Sequence, residues 1–115
     1  MNDCIFCRIV SGEIPSQEVA RSADAIAFRD LNPQAPVHLL VVPVTHFTNA
    51  AATDSERGEL AMGRTLRLAV QAAEQLGLAE SGYRLVLNTG VDGGQSVGHL
   101  HVHVLGGRPM RWPPG

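Results

Sequence analysis

Three of the five histidines alternate with aliphatic residues in the segment HLHVHVL, residues 99–105. Because successive side chains of a β-strand point to opposite faces, this alternation predicts a strand with His99, His101 and His103 on one face and an aliphatic face opposite. Neighbouring imidazoles on that face stand roughly 6–7 Å apart, two residue rises along the strand. One substrate or one metal ion could therefore contact more than one of them.

The segment that precedes the histidines, NTGVDGGQSVGH at 88–99, is rich in glycine. Glycines permit positive φ angles and a close approach of the backbone to a ligand, and concave arrays of backbone N–H groups bind anions. Taken alone, such a segment is as well explained as a long connection between strands. Followed directly by the row of imidazoles, it predicts an anion site beside catalytic side chains.

The composition fits a single domain over residues 1–115. A chain of 12.3 kDa with 44% hydrophobic and 17% charged residues can bury a modest core. A net charge of −2 gives no basic field for nucleic acid or an anionic membrane, and no apolar run approaches the length that spans a bilayer. The N-terminal segment lacks the pattern of a secretory signal, so we expect a cytoplasmic protein with neither nucleic acid nor a membrane as partner.

All nine basic residues are arginines. The absence of lysine excludes Schiff-base chemistry, nucleotidyl-lysine transfer and the Walker A mode of phosphate binding. A covalent nucleophile must therefore be His, Ser, Thr, Cys or a carboxylate.

Five segments have the pattern of β-strands. The segments 17–22 and 25–30 flank a tight turn and predict a hairpin, and the segment 37–43 is β-branched and ends at a proline. The segment 83–90 is a further strand, and 99–105 is the fifth. Their order does not alternate with helices, which favours an antiparallel sheet.

Two segments have the pattern of helices. A short one over residues 4–10 begins at Asp3 as its cap and ends at Ser11-Gly12, and a long one begins with Thr53 and Glu56 in capping-box spacing and closes at Gly77. The predicted fold is thus α+β: a five-stranded antiparallel sheet with the long helix on its apolar face and a short N-terminal helix.

The segment GGQSVGHLHVHVLGG resembles the signature of the histidine triad family, His-apolar-His-apolar-His followed by two apolar residues. The tail GGRPMRWPPG and the segment 28–43 resemble the Hint branch of that family, the purine nucleoside phosphoramidases, so the resemblance covers nearly the whole chain. It implies a nucleotide hydrolase or transferase with an α+β fold that forms a symmetric homodimer. Trp112, in the tail, resembles the segment that reaches across that dimer toward the partner's pocket.

The resemblance assigns catalytic roles. It implies that His101 attacks the α-phosphorus of a purine nucleoside 5′-phosphoramidate, giving a nucleotidyl-histidine that water hydrolyses to the nucleoside monophosphate. For this attack the other ring nitrogen of His101 should donate to a fixed acceptor, for which a main-chain carbonyl of a neighbouring triad residue is the natural candidate. His103 then stabilises the phosphoryl oxygens, Ser96 lies near the leaving group, and His38 supports the row rather than serving as an ordinary core histidine.

The resemblance also assigns nucleotide-binding residues. Asp30 accepts the two ribose hydroxyls, which a carboxylate does well because it accepts two hydrogen bonds at once. The base lies in an apolar slot that we expect to contain Ile9, Phe28 and Leu31. The remaining nucleotide ligands are Asn88, Gly94 and Gln95, with Ser96, His101 and His103. Arg29 departs from the histidine found in many eukaryotic relatives, which leaves the ribose side less well defined.

Cys4 and Cys7 form a Cys-x-x-Cys pair. A disulfide is improbable in a cytoplasmic chain and a redox pair lacks its β-α context, which leaves a zinc half-site or two ordinary buried cysteines. A structural zinc site needs four ligands, and His46 and His99 complete the set that some bacterial relatives carry. In that case His99 serves architecture and orientation rather than proton transfer.

Two alternatives stay open at this point. His-x-His on a strand is also a ligand pattern for catalytic zinc, so the triad could hold a metal that activates water. The chain could also be a nucleotide-binding regulatory module whose catalysis is vestigial.

Overall fold

The computed structural model describes residues 3–115. Residues 1 and 2, which the predicted single domain includes, lie outside the described residues. Five strands form one antiparallel sheet, as the sequence predicts. The strands are β1 (Glu18–Arg21), β2 (Ala25–Arg29), β3 (Val37–Pro43), β4 (Tyr83–Val86) and β5 (Val102–Gly106). Their order across the sheet is β1-β2-β3-β5-β4.

The predicted hairpin and the predicted third strand are confirmed. β1 pairs antiparallel with β2, and β3 covers residues 37–43 as expected. The last two strands are shorter than predicted: β4 ends at Val86 rather than 90, and β5 begins at Val102 rather than 99. The alternation of the histidine segment therefore begins before the strand does, because ladder hydrogen bonds, and not side-chain pattern, set where a strand starts.

Two helices cover the two faces of the sheet. The long helix α2 (Glu56–Gln75) packs on one face through Leu68, Ala69, Ala72 and Ala73, against alternate aliphatic residues of the strands. The short helix α1 (Ile5–Val10) packs on the other face through Phe6 and Ile9. The sheet thus has two apolar faces where the sequence predicted one, because six residues of α1 supply enough apolar surface to cover the second.

Both helix caps differ from those predicted. Ser55, not Thr53, caps α2, and its side chain accepts a hydrogen bond from the amide of Gly58. Thr53 is buried in a short 3₁₀ turn, Ala50–Thr53, where its hydroxyl donates to the carbonyl of Ala50. Cys4, not Asp3, caps α1, with its sulfur accepting from the amide of Cys7. Both predictions were wrong because a cap is decided by where the chain enters the helix, which tertiary packing shifts by a residue or two.

No helix in the part of the chain described, residues 3–115, combines the length and apolar character needed to cross a bilayer.

Candidate active site

An open cavity of about 270 Å³ lies on the face of the sheet that α1 covers. Its apolar wall includes Ile9, Phe28 and Leu31, the three residues expected to form a slot for a base. Its polar groups include Asp30, Ser96, His101 and His103. The other lining residues are Ile5, Phe6, Ile14, Pro15, Ser16, Gln17, Arg29, Leu40 and Val97. An apolar wall facing a few convergent polar groups is typical of a small-molecule site.

The strands bring His38 and His103 together. In the register of β3 with β5, Leu40 lies opposite His103 and Leu105 lies opposite His38, so the two histidines are diagonal neighbours on one face of the sheet. His38 Nε2 lies 2.9 Å from His103 Nδ1. His101 precedes β5, yet its ring centroid lies 5.2 Å from that of His103, somewhat closer than two residue rises.

A main-chain carbonyl fixes the tautomer of His101. His101 Nδ1 lies 2.7 Å from the carbonyl oxygen of His99. A carbonyl oxygen can only accept, so Nδ1 carries the hydrogen and donates it, and Nε2 keeps its lone pair in the neutral ring. This is the contact that the sequence analysis expects of a histidine nucleophile.

A second main-chain group fixes the tautomer of His38. The amide of Gln34 donates to His38 Nδ1 at 3.0 Å, so the hydrogen of the neutral ring is on Nε2. Nε2–H then donates to Nδ1 of His103, which leaves the hydrogen of the neutral His103 ring on its own Nε2. The two rings that line the cavity are thus prepared differently: His101 with a lone pair on Nε2 and His103 with an N–H donor there.

Burial keeps the donor ring neutral. Burial, and after it the neighbouring rings of His101 and His38, lower the pKa of His103 to about 4 against the opposing effect of Asp30. Burial also lowers the pKa of His38, again partly opposed by Asp30. Near pH 7 both side chains are therefore uncharged, as the tautomer assignment requires.

Asp30 stands at the rim between the cavity and His38. One carboxylate oxygen accepts from the amide of Asn32 at 2.8 Å, and the other lies 3.4 Å from His38 Nε2. Leu31, next to it, is 94% exposed and contacts the cavity only at its edge.

Three of the predicted nucleotide ligands lie outside the cavity lining. Gln95 donates from its side-chain amide to the carbonyls of Thr48 and Val97, at 2.7 and 2.9 Å, so both amide hydrogens are used within the chain. The amide of Gly94 closes a turn onto the carbonyl of Val91 at 3.0 Å. Asn88 is half-buried beyond the end of β4. Their contact with a nucleotide stays a prediction.

A separate cluster gathers the two cysteines and the other two histidines. The donor atoms of Cys4, Cys7, His46 and His99 all lie within 4.8 Å of one another. The sulfur of Cys4 is 3.3 Å from His99 Nδ1, the sulfur of Cys7 is 3.3 Å from His46 Nδ1, and the two imidazole nitrogens are 3.1 Å apart. For tetrahedral zinc with bonds of about 2.0–2.3 Å, ligand atoms stand roughly 3.3–3.8 Å apart, so the donor set fits that metal in type and nearly in spacing.

The orientation of His99 supports the same interpretation. Its ring is fully buried, and Nε2 lies 3.0 Å from the carbonyl oxygen of Pro43, to which it donates. Nδ1 therefore keeps its lone pair toward the cysteines, because a hydrogen bond at one ring nitrogen orients the other nitrogen of an imidazole toward a metal. His99 does not line the cavity, so its side chain belongs to the cysteine cluster while its carbonyl orients His101.

Two residues that contact the histidines of the site were not predicted from the sequence. Gln34 acts through its main-chain amide, for which the identity of the side chain gives no signal. Phe6 contacts His99 and His101 edge-on, with ring centroids 5.9 and 5.2 Å apart. Its helical spacing from Ile9, three residues, could have indicated that both belong to the buried face of α1.

The comparisons with known proteins agree with this geometry. The model of the HIT domain matches residues 11–110. The purine nucleoside phosphoramidase of Escherichia coli (strain K12) is 45% identical over 108 residues, 94% of this chain and 90% of that protein. The 14 kDa zinc-binding protein of Zea mays is 49% identical over 112 residues, 96% of this chain and 87% of that protein.

A solved structure gives the same result at the level of the fold. The crystal structure of a HIT family hydrolase from Legionella pneumophila superposes with a TM-score of 0.92 at 46% identity, covering 98% of this chain and 100% of that one. The fold, the spacing of the histidines and the matched length together show that this chain belongs to the HIT domain family of hydrolases.

Proposed function

We propose that this protein hydrolyses the P–N bond at the α-phosphate of purine nucleoside 5′-phosphoramidates and releases the nucleoside monophosphate. The observation that carries the proposal is the hydrogen bond from His101 Nδ1 to the carbonyl of His99, because it leaves a lone pair on Nε2 of a residue that lines the cavity. The name of the Escherichia coli relative supports the choice of substrate.

The reaction proceeds in two displacements. His101 Nε2 attacks the α-phosphorus, the P–N bond breaks, and the amine leaves with a proton taken from solvent at the side of the cavity where Ser96 lies. Water then attacks the nucleotidyl-histidine, the N–P bond breaks, one proton of the water returns to solvent, and the imidazole returns to its neutral form. His103 Nε2–H donates to the phosphoryl oxygens as their charge grows, which in other enzymes contributes roughly 3–4 kcal/mol for a well-placed donor.

The nucleoside occupies the rest of the cavity. Asp30 accepts the ribose hydroxyls, and the base packs against Ile9, Phe28 and Leu31. Asn88, Gly94 and Gln95 complete the proposed nucleotide ligands from the loop behind the histidines. The proposed compartment is the cytoplasm, where cysteine ligands stay reduced.

The cysteine cluster holds structural zinc in this proposal. Cys4, Cys7, His46 and His99 would be its ligands, and the ion would join the N-terminal helix to the segments that follow β3 and precede β5. The ion supplies stability and orients His99; the proposed reaction needs no metal-bound group.

One observation favours a catalytic metal beside His103 instead. The donor atoms of Asp30, His38 and His103 also lie within 4.8 Å of one another. However, the Gln34 amide donates to His38 Nδ1, which puts the ring hydrogen on the Nε2 that would have to bind the metal. We therefore favour covalent histidine catalysis over a catalytic zinc, and over a module that binds nucleotide without turnover.

Quenching with denaturant at alkaline pH during turnover of adenosine 5′-phosphoramidate tests the choice between these routes, because alkali preserves the P–N bond of a nucleotidyl-histidine that acid would cleave. Mass spectrometry of the peptide with His101 should show an adenylyl group on that residue, and His101→Ala should lose turnover by at least roughly 10³-fold while still binding AMP. A folded His101→Ala protein that retains turnover excludes the covalent route. Loss of wild-type turnover immediately on chelation, before any unfolding, supports catalytic zinc, and a wild-type protein that binds AMP without hydrolysing the phosphoramidate supports the regulatory module.

The proposed assembly is a homodimer. Trp112 is 82% exposed in a tail of proline and arginine, which is unusual for so large an apolar ring and fits burial against a second copy. Sedimentation velocity should give about twice the chain mass of 12.3 kDa. A monomer at micromolar concentration contradicts both the dimer and a role for Trp112 in the partner's pocket.

A further inference from the structure

The turn between β2 and β3 controls which nitrogen of His38 carries its hydrogen. Gln34 donates its amide hydrogen to His38 Nδ1 at 3.0 Å. The turn is exposed over residues 31–34, so solvent competes for each of its hydrogen bonds. Asp30, with a carboxylate oxygen 3.4 Å from His38 Nε2, also favours a hydrogen on that nitrogen. Whatever holds Gln34 in place therefore contributes, together with Asp30, to the tautomer of His38.

The C-terminal segment supplies a contact that fixes this turn. Arg108 Nη2 donates to the carbonyl of Gln34 at 3.0 Å, and Nη1 donates to the carbonyl of Pro109 at 3.2 Å. None of the ion pairs within residues 3–115 involves Arg108, so its guanidinium serves main-chain oxygens rather than a carboxylate. Planar guanidinium geometry suits this bridging of two carbonyls.

The backbone is adapted to bring Arg108 to the turn. Gly107 has a φ of +89°, and a Cβ at that position would lie 2.8 Å from the Cβ of Pro36. Only glycine allows the segment after β5 to pass so close to the turn.

We propose that Arg108 is a positioning residue for the histidine pair: by holding Gln34 it keeps the hydrogen of His38 on Nε2 and thereby keeps the N–H of His103 directed at the substrate. The consequence for catalysis rests on the proposed function, whereas the control of the tautomer does not. If the Gln34 amide leaves Nδ1, His38 can carry its hydrogen there instead. His38 Nε2 then accepts from His103 Nδ1, and His103 presents a lone pair, rather than a donor, to the phosphoryl oxygens.

The tautomer is measured directly by ¹⁵N NMR of the histidine rings in the ligand-free protein. In the wild type, His38 should show a protonated Nε2 and an unprotonated Nδ1. In Arg108→Gln a fraction of His38 should move to the Nδ1–H form, and the Gln34 amide should exchange faster with solvent. Arg108→Lys, which keeps one cationic donor, should restore the wild-type spectrum in large part.

Kinetics with the phosphoramidate separate positioning from binding. Because an exposed hydrogen bond contributes about 1 kcal/mol, Arg108→Gln should lower kcat roughly fivefold with little change in KM. Arg84→Gln is the matched control: Arg84 also donates to a main-chain carbonyl of the C-terminal segment, that of Arg111 at 2.8 Å, but does not contact the turn. It should leave both the spectrum and kcat unchanged.

Two results overturn the proposal. The first is a spectrum of the wild-type protein in which His38 carries its hydrogen on Nδ1. The second is an Arg108→Gln protein whose His38 spectrum matches the wild type, whatever happens to kcat. If the wild type has the expected tautomer but does not hydrolyse the phosphoramidate, the proposed function fails while the control of the tautomer stands.

Discussion

At the scale of single residues, the three histidines of the segment 99–105 have three different environments. His101 is oriented by a carbonyl, His103 by another imidazole, and His99 faces the cysteine cluster. Identical side chains thus acquire different chemistry because each ring nitrogen is assigned by the group it contacts.

The neutral state of His103 gives the stability a specific pH dependence. The pKa of His103 is about 4 in the folded protein and about 6.5 in an unfolded chain, so between these values the unfolded chain binds a proton that the folded one does not. The contribution of His103 to the free energy of unfolding should therefore be present in full above about pH 6.5. It should be lost as the pH drops toward 4, which lowers the free energy of unfolding by at most about 3 kcal/mol.

Urea denaturation of the wild type and of His103→Gln checks this dependence. The wild type should lose more stability than the variant between pH 7 and pH 4.5, because glutamine does not titrate. Both proteins keep all the other ionisable side chains, so the difference between them isolates His103 and its partner His38. Equal losses mean that the pKa of His103 in the folded protein is close to its value in the unfolded chain.

At the scale of elements, α2 carries two glycines in opposite situations. A Cβ at Gly58 would lie 2.6 Å from the Cα of Thr53, because the 3₁₀ turn crosses the first turn of the helix there. A Cβ at Gly63 meets nothing within 4 Å.

These glycines form a matched pair for substitution. Gly63→Ala should raise the free energy of unfolding by about 1 kcal/mol, because alanine is the better helix former. Gly58→Ala should lower it by about 1–3 kcal/mol, because the 3₁₀ turn must move away from the new methyl group. Urea denaturation measures both changes, and a stabilised Gly58→Ala protein contradicts the close packing of the turn on the helix.

At the scale of the whole molecule, the cysteine cluster joins three parts of the chain that are distant in sequence. Cys4 and Cys7 come from α1, His46 from the segment after β3, and His99 from the segment before β5. A zinc ion there would hold α1 onto the face of the sheet that forms the cavity.

Chelation tests this role. One zinc ion per chain should be found by elemental analysis, and removing it should lower the free energy of unfolding by about 3 kcal/mol or more. Below the lowered melting temperature, turnover should persist. Cys7→Ser should be less stable from the start and should no longer respond to the chelator; an equal response of both proteins, or a purified wild type without zinc, rejects the structural metal.

The sequence by itself determined the strand segments, the antiparallel sheet and the residue types of the site. Period-two alternation, the proline that ends β3 and the glycine after α2 are local signals. Such signals suffice to locate strands and helices, because the period of the side chains follows from the geometry of each element. The segments 17–30, 37–43, 83–90 and 99–105 therefore led to a five-stranded antiparallel sheet and to a row of imidazoles.

Only the tertiary structure decided what each imidazole does. The tautomers of His38 and His101 depend on main-chain groups of Gln34 and His99, which have no signature in residue type. The hydrogen bond from Gln95 to the main chain at Thr48, and the second covered face of the sheet, likewise follow from long-range packing. The sequence specifies the type of each residue. The position of the hydrogen on an imidazole ring, in contrast, depends on which donor or acceptor the fold places about 3 Å from each ring nitrogen.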